Sequence, residues 1–383
     1  MTIKLNSTIL NVLRVFATLL VFFCHSCIIG RDEFGFELHG ALWLLKTPAW
    51  GGVWMFFAMG GFLATYGFDI NSYTTDKEGI LKYYKSRFVK VLLPTWIFIS
   101  LVYIFYLNES TLSLKNIISF ITCSFNGGDI DGLKSVGATW YVFISMWLYF
   151  LTPFLYKILI WYEYKHRGKE CSYYKGLLVL IVCVSIIYRC LQYLGVDYYN
   201  WMYANVLGSI DLWLTGMIGC RLLHYLPTDV PMKTIKKLRV IFIVLLFVLA
   251  TVFSGWVKEL GCFSEVFPLI QTGLNQIYKI GSIIWGITAI SLVILYSYEE
   301  ENKHKIDCSK RPIAPICNAV APYTFMFYLW HSGLLTHLAT KLTIEDVVSR
   351  YWAMLAIGFV VTVYVAFLMT YMNNGLIKHI LKK

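Results

Sequence analysis

Residues 9–29 read ILNVLRVFATLLVFFCHSCII. Almost every position in this run is apolar or small, and at about 1.5 Å of rise per residue it makes enough helix to cross roughly 30 Å of hydrocarbon. It is too long for a typical signal-peptide core, has no obvious small-residue cleavage site and contains Arg14 and His25, so it is expected to stay in the mature chain. Comparable windows follow at 49–68, 91–107, 139–160, 177–195, 203–223, 240–256, 274–297, 317–340 and 351–372. The expected fold is therefore all-α: a polytopic membrane protein of ten helices, forming one transmembrane domain over residues 1–383. Composition agrees, since 58% of the residues are apolar, 14% are charged and the mean hydropathy is +0.63. Soluble domains carry about 25% charged residues, which excludes an ordinary water-soluble enzyme.

Orientation follows from the basic residues. With the N-terminus inside, the inner segments hold clusters such as Lys77, Lys82, Lys85, Arg87 and Lys90, or Lys233, Lys236, Lys237 and Arg239. In total they carry three times as many Lys and Arg as the outer segments, which places both termini in the cytoplasm. The net charge of +11 is thereby accounted for by one leaflet of a membrane and its lipids, without nucleic acid. The longest outer loop, about 108–138, contains Asp129 and Asp131 but lacks the other ligands of a calcium loop, and reads as a solvated turn. Among the ten cysteines only Cys24 and Cys27 have C-x-x-C spacing, inside an apolar span and far in sequence from the paired histidines His331 and His337, so no metal is expected. Cys123 and Cys262 fall in loops placed outside, where an oxidising compartment could join them.

Ionisable side chains inside a span are costly unless they line a cavity or meet partners. The candidates are Arg14 and His25 in the first span, Arg189 in the fifth, Asp211 in the sixth, Lys279 in the eighth and His331 in the ninth. Arg189 and Lys279 lie near enough to span ends to reach water by snorkelling. Arg14 and His25 are eleven residues apart. At 100° per residue that is three turns with only about 20° left over, so both sit on one face, about 16 Å apart along the axis. A structural ion pair, with Asp211 for example, and an interhelical hydrogen bond are the bland alternatives for the two. The chemical reading is acyl transfer: His exchanges a proton near neutral pH, and Arg stays charged beside phosphates or a developing oxyanion. Neither a Gly-x-Ser-x-Gly elbow nor a phosphate-binding loop offers a competing mechanism. Trp50, Trp54, Trp140 and Trp201 fall at expected outer interfaces, either as an aromatic belt or as platforms for a sugar.

The basic residue, ten intervening positions and His in LRVFATLLVFFCHS resemble the first-helix hallmark of the membrane acyltransferase 3 family. GGVWMFFAMGGFLATYGF at 51–68 is similar to that family's glycine, aromatic and Gly-Phe-Leu segment. YYKSRFVKVLLPTW at 83–96 resembles its R-x-x-R stretch before Leu-Pro and an aromatic. Trp140 with Pro153, WLTG at 213–216 and YLWHS at 328–332 are weaker echoes. The chain departs from the pattern at Trp54, where the family often has Asp, at Gly60, where it often has Ser, and at Lys90, where it often has the second Arg. Lys90 keeps the charge but loses the bidentate fork.

The resemblance implies an integral membrane O-acyltransferase that moves acetyl from cytoplasmic acetyl-CoA to a hydroxyl of a cell-surface or lipid-linked glycan, in a bacterial plasma membrane. It implies catalytic roles for His25 and Arg14 and acyl-CoA binding by Arg87 and Lys90. His331, Trp140, Arg189 and Asp211 are the further candidates for substrate binding, and His25 would serve either as general base or as a transient acyl carrier. Some relatives carry an extracytoplasmic hydrolase-like domain, which this sequence is not expected to include. The rival from another class is a glycan or small-molecule transporter that makes no bond, with Arg14 and Asp211 in a charged pathway. Acetyl-CoA dependence separates the two, and the halves of the chain show no convincing internal repeat of the transporter kind.

Overall fold

The computed structural model describes residues 5–36, 45–105, 118, 121, 139–195, 205–227, 230–252, 281–302 and 313–381. Among these residues the regular structure is helical, with no strand. The helices are α1 (Ser7–Phe34), α2 (Ala49–Asp69), α3 (Lys77–Arg87), α4 (Leu93–Phe105), α5 (Trp140–Lys165) and α6 (Glu170–Cys190), then α7 (Ile210–Tyr225), α8 (Met232–Val252), α9 (Ser282–Asn302), α10 (Ile313–Val320), α11 (Thr324–Lys341) and α12 (Val347–Leu381). Five of them, α1, α2, α5, α6 and α12, are long and apolar enough to cross a membrane. Large apolar side chains point outward along α6, α8 and α12, among them Ile187, Val240, Phe247, Val360 and Phe367. That surface suits lipid rather than water, so the chain is a helical membrane protein.

Local chemistry sets the helix ends that matter for the site. The Asn6 side chain accepts from the backbone N–H of Ile9 at 3.1 Å and starts α1, while Gly35, at φ 65°, donates its N–H to the Arg31 carbonyl and ends it. Asp76 caps α3 by accepting from the Gly79 N–H at 2.7 Å, which holds its carboxyl below the usual range. Between α3 and α4 the chain widens into a π-helical turn over Phe88–Leu92. Pro94 has no N–H to give the Lys90 carbonyl, so the ladder cannot continue in α register there, and the wider turn carries Lys90 past the break. The span expected at 317–340 is divided by a 3₁₀ turn, Ala321–Tyr323, because Pro322 likewise cannot donate inside a helix. The last helix continues well past the expected end at 372, to Leu381.

Helix α2 is the hub, packed against α1, α7 and α9 and largely buried. Its glycines make this possible. A Cβ on Gly52 would lie 2.6 Å from the Ala17 carbonyl oxygen, and one on Gly61 would lie 2.1 Å from that of Trp213. Gly216 on α7 is tighter still, 1.9 Å from the Ala58 oxygen. These contacts are to backbone, which cannot swing aside, so Gly216→Ala is expected to force α2 and α7 apart and cost about 1–3 kcal/mol. Thermal unfolding in detergent checks this, with Gly176→Ala on α6, where nothing lies within 4 Å, expected to leave the midpoint unchanged.

Candidate active site

The α1 stripe brings Arg14 and His25 to the side of the helix that meets α2 and α11. There His25 finds a second histidine. Its Nδ1 lies 2.7 Å from Nε2 of His331 on α11, with the two rings only 5° from parallel and their centroids 4.9 Å apart. Nδ1 of His331 is 2.6 Å from the carbonyl oxygen of Tyr328. A carbonyl only accepts, so in the uncharged pair the proton on His331 sits at Nδ1 and its Nε2 must accept. His25 therefore donates from Nδ1, which leaves a lone pair on its own Nε2, and no hydrogen bond to that nitrogen exists among the described residues. His331 is 1% exposed and stacked on Phe327, with the ring centroids 6.3 Å apart, whereas His25 is half-buried. The inner ring is fixed by packing, and the outer ring presents a basic nitrogen.

A cavity of about 420 Å³ opens beside this pair, lined by Arg14, Lys90, Tyr141, Tyr149, Tyr328 and the α12 residues Thr370, Asn373, Asn374 and Ile377. Tyr328 thus belongs to its wall and, through its carbonyl, to the histidine pair. Tyr141 packs on Tyr328, the centroids 5.4 Å apart, and extends the aromatic wall. Arg87 stands just behind it: its guanidinium lies over the Tyr149 ring at 4.8 Å and over Tyr83 at 5.1 Å, and its buried Nε has no hydrogen-bond partner among the described residues. Stacking of this kind holds a guanidinium in place while leaving its edge N–H groups for an anion. Arg14 and Lys90 accordingly line a partly polar cavity with Arg87 behind its wall, and the histidine pair, which does not line it, is joined to that wall through the Tyr328 carbonyl.

The chain matches the family model for an acyltransferase domain, Acyl_transf_3, over residues 8–371. It belongs to the acyltransferase 3 family. No curated protein and no solved structure gives a significant match. The matched residues, nearly the whole chain, include both histidines, Arg14, Arg87 and Lys90, and stop short of Asn373, Asn374 and Ile377 in the cavity wall.

Other residues singled out from the sequence lie elsewhere in the acyltransferase. Asp211 pairs not with Arg14 but with Arg189, at 2.6 Å, and its carboxylate also accepts from the Ser185 hydroxyl at 2.6 Å. Arg189 further donates to the Gly208 carbonyl at 2.9 Å and is 1% exposed, so it does not snorkel. This buried pair joins the end of α6 to the start of α7, apart from the residues that line the cavity. Trp54 and Trp140 are 3% and 7% exposed, packed in the core rather than in an interfacial belt. Trp140 stacks near Phe57, and its neighbour Tyr141 takes the place on the cavity wall. Lys279, Trp201, Cys123, Cys262, Asp129 and Asp131 lie outside the described residues.

A second charged cluster was not anticipated. Arg221 on α7 bonds Asp69 of α2 at 2.6 Å and Glu163 of α5 at 2.8 Å, and Tyr156, Tyr174 and Tyr225 donate to the same carboxylates. Asp69, Cys220 and His224 converge within 4.8 Å, but Asp69 already accepts from Arg221, Tyr156, Cys220 and His224. The cluster ties three helix ends together and stands apart from the cavity. Arg221 lay in plain view inside the 203–223 window; the acidic partners did not, because at span ends they resemble loop charges.

Proposed function

We propose that this membrane acyltransferase crosses the bilayer ten times with both termini in the cytoplasm, and transfers acetyl from acetyl-CoA to a hydroxyl of a cell-surface or lipid-linked glycan. The observation that carries the reading is the histidine pair, with no hydrogen bond to His25 Nε2 among the described residues, joined through the Tyr328 carbonyl to the wall of a cavity that holds Arg14 and Lys90. In this reading Arg87 and Lys90 hold the CoA phosphates at the cytoplasmic mouth, and the thioester is carried past Arg14 toward His25. His25 Nε2 takes the proton from the acceptor hydroxyl as its oxygen bonds to the acyl carbon. The tetrahedral oxyanion collapses as the thioester C–S bond breaks, and the proton passes to the departing CoA thiolate; Arg14, about 16 Å from His25 along α1, guides the incoming donor by its charge. His331 holds the imidazole in the productive tautomer and shares the positive charge while the proton is in transit.

The test is transfer of labelled acetyl from acetyl-CoA to a cell-envelope glycan fraction by the purified protein in lipid vesicles. Label in the glycan supports the acyltransferase; glycan crossing the vesicle wall without gaining label supports a transporter instead. In the same assay Arg87→Gln is expected to raise the KM for acetyl-CoA about tenfold, as one charge-assisted phosphate contact is lost, and to change kcat little. An unchanged KM removes Arg87 from the donor site.

A further inference from the structure

The face that α12 turns to the cavity carries Thr370, Asn373, Asn374 and Ile377, spaced three and four residues apart along one stripe of an otherwise apolar helix. Two of its polar atoms are orphaned: Oγ1 of Thr370 and Oδ1 of Asn373 are buried and make no hydrogen bond among the described residues. Thr65 on α2, which does not line the cavity, has an orphaned hydroxyl as well. Thr18, Thr95, Thr152, Thr215, Thr288 and Thr362 all donate to the carbonyl four residues back in their own helix, the usual resting place of a buried helical hydroxyl. Thr370 is 7% exposed and does not. A buried polar atom without a partner costs about 1–3 kcal/mol, and such atoms in a cavity wall are satisfied when a ligand fills it.

The chemistry of the orphans says what kind of ligand group they meet. As placed, Asn373 Oδ1 needs an N–H or O–H, and turned over the amide would donate from Nδ2; an amide or hydroxyl group of a ligand, which both donates and accepts, serves either orientation. The cations that suit phosphate are Arg87 and Lys90, on the chain segment around the π-helical turn, which packs against α12. Resting on the acyl-CoA reading above, we propose that Thr370 and Asn373 bind the amide and hydroxyl groups of the donor's pantetheine arm, so that α12 grips the arm while the Arg87–Lys90 segment grips the phosphates. The acyl donor is then recognised along its length and not by charge alone, and the arm is laid along the wall that leads through Tyr328 to the histidine pair.

The two grips separate experimentally. Binding of acetyl-CoA and of S-acetylpantetheine, which lacks the phosphates, is measured on the full-length protein in nanodiscs for wild type, Thr370→Val, Asn373→Leu and Arg87→Gln. Thr370→Val and Asn373→Leu are each expected to weaken both ligands by the same factor, about fivefold for one net hydrogen bond. Arg87→Gln should weaken acetyl-CoA and leave S-acetylpantetheine unchanged. Thr370→Ser, which keeps the hydroxyl, should bind as wild type and so distinguish loss of the bond from damage to the helix. The proposal is overturned if both α12 variants bind the two ligands as wild type does while Arg87→Gln still loses acetyl-CoA, for then the donor reading stands and the arm lies elsewhere. Wild type that binds neither ligand removes the donor reading and this proposal together.

Discussion

His25→Ala is expected to lower acetyl transfer by about 10²–10⁴-fold, the usual contribution of a positioned general base, while acetyl-CoA still binds. The separation follows from geometry. His25 does not line the cavity, while Lys90 does and Arg87 stacks on one of its wall tyrosines. Steady-state kinetics on vesicles at matched protein levels should therefore show a fall in kcat with little change in the KM for acetyl-CoA. Transfer at wild-type rate by the variant would mean that the proton leaves by another route and that the Nε2 assignment has no catalytic meaning.

The second large effect concerns His331, which touches no substrate in this account and acts through His25. His331→Leu removes the acceptor for the His25 Nδ1–H and frees the ring to rotate or to take the other tautomer. Misplacing a reacting group in this way costs on the order of 10²-fold. His331→Gln offers an amide oxygen of similar reach to the same N–H and should recover a large part of that loss. A merely structural histidine gives the opposite pattern: both variants lose folded protein in step with activity, and size-exclusion profiles change together with rates. Equal activity in His331→Leu and wild type would dismiss the orienting role.

How much of this was legible beforehand differs residue by residue. The stripe of Arg14 and His25 follows from the helical period alone, because eleven residues close three turns whatever the fold around them. The partner of His25 could not be read in the same way. His331 lies 306 positions away, and only the packing of α1 on α11 brings the rings together. The pairing of Asp211 with Arg189 rather than Arg14 is of the same kind: opposite charges in separate spans have several possible partners until helix neighbours are fixed. Trp54 and Trp140 were misplaced because an aromatic near a span end suits either a lipid belt or a core, and hydropathy does not say which face is buried. Thr370 and Asn373 were overlooked for a simpler reason. Hydropathy falls at Asn373 and Asn374, which closes the apolar window at 372, yet the helix continues and turns those polar groups into the cavity. The Ala58–Gly216 and Ala17–Gly52 approaches are of the same kind as the histidine pairing: glycines in a span suit close helix contacts, but only the packing fixes which helix comes near them.

The central claim is that the cavity and the histidine pair together move an acetyl group. Its most direct measurement loads vesicles containing the purified protein with labelled acetyl-CoA on the face that carries Arg87 and Lys90, and offers envelope glycan on the opposite face. The account predicts label in the glycan with wild type, and almost none with His25→Ala at the same protein level. Label that appears equally with His25→Ala, or glycan that crosses unmodified while wild type transfers nothing, would contradict it.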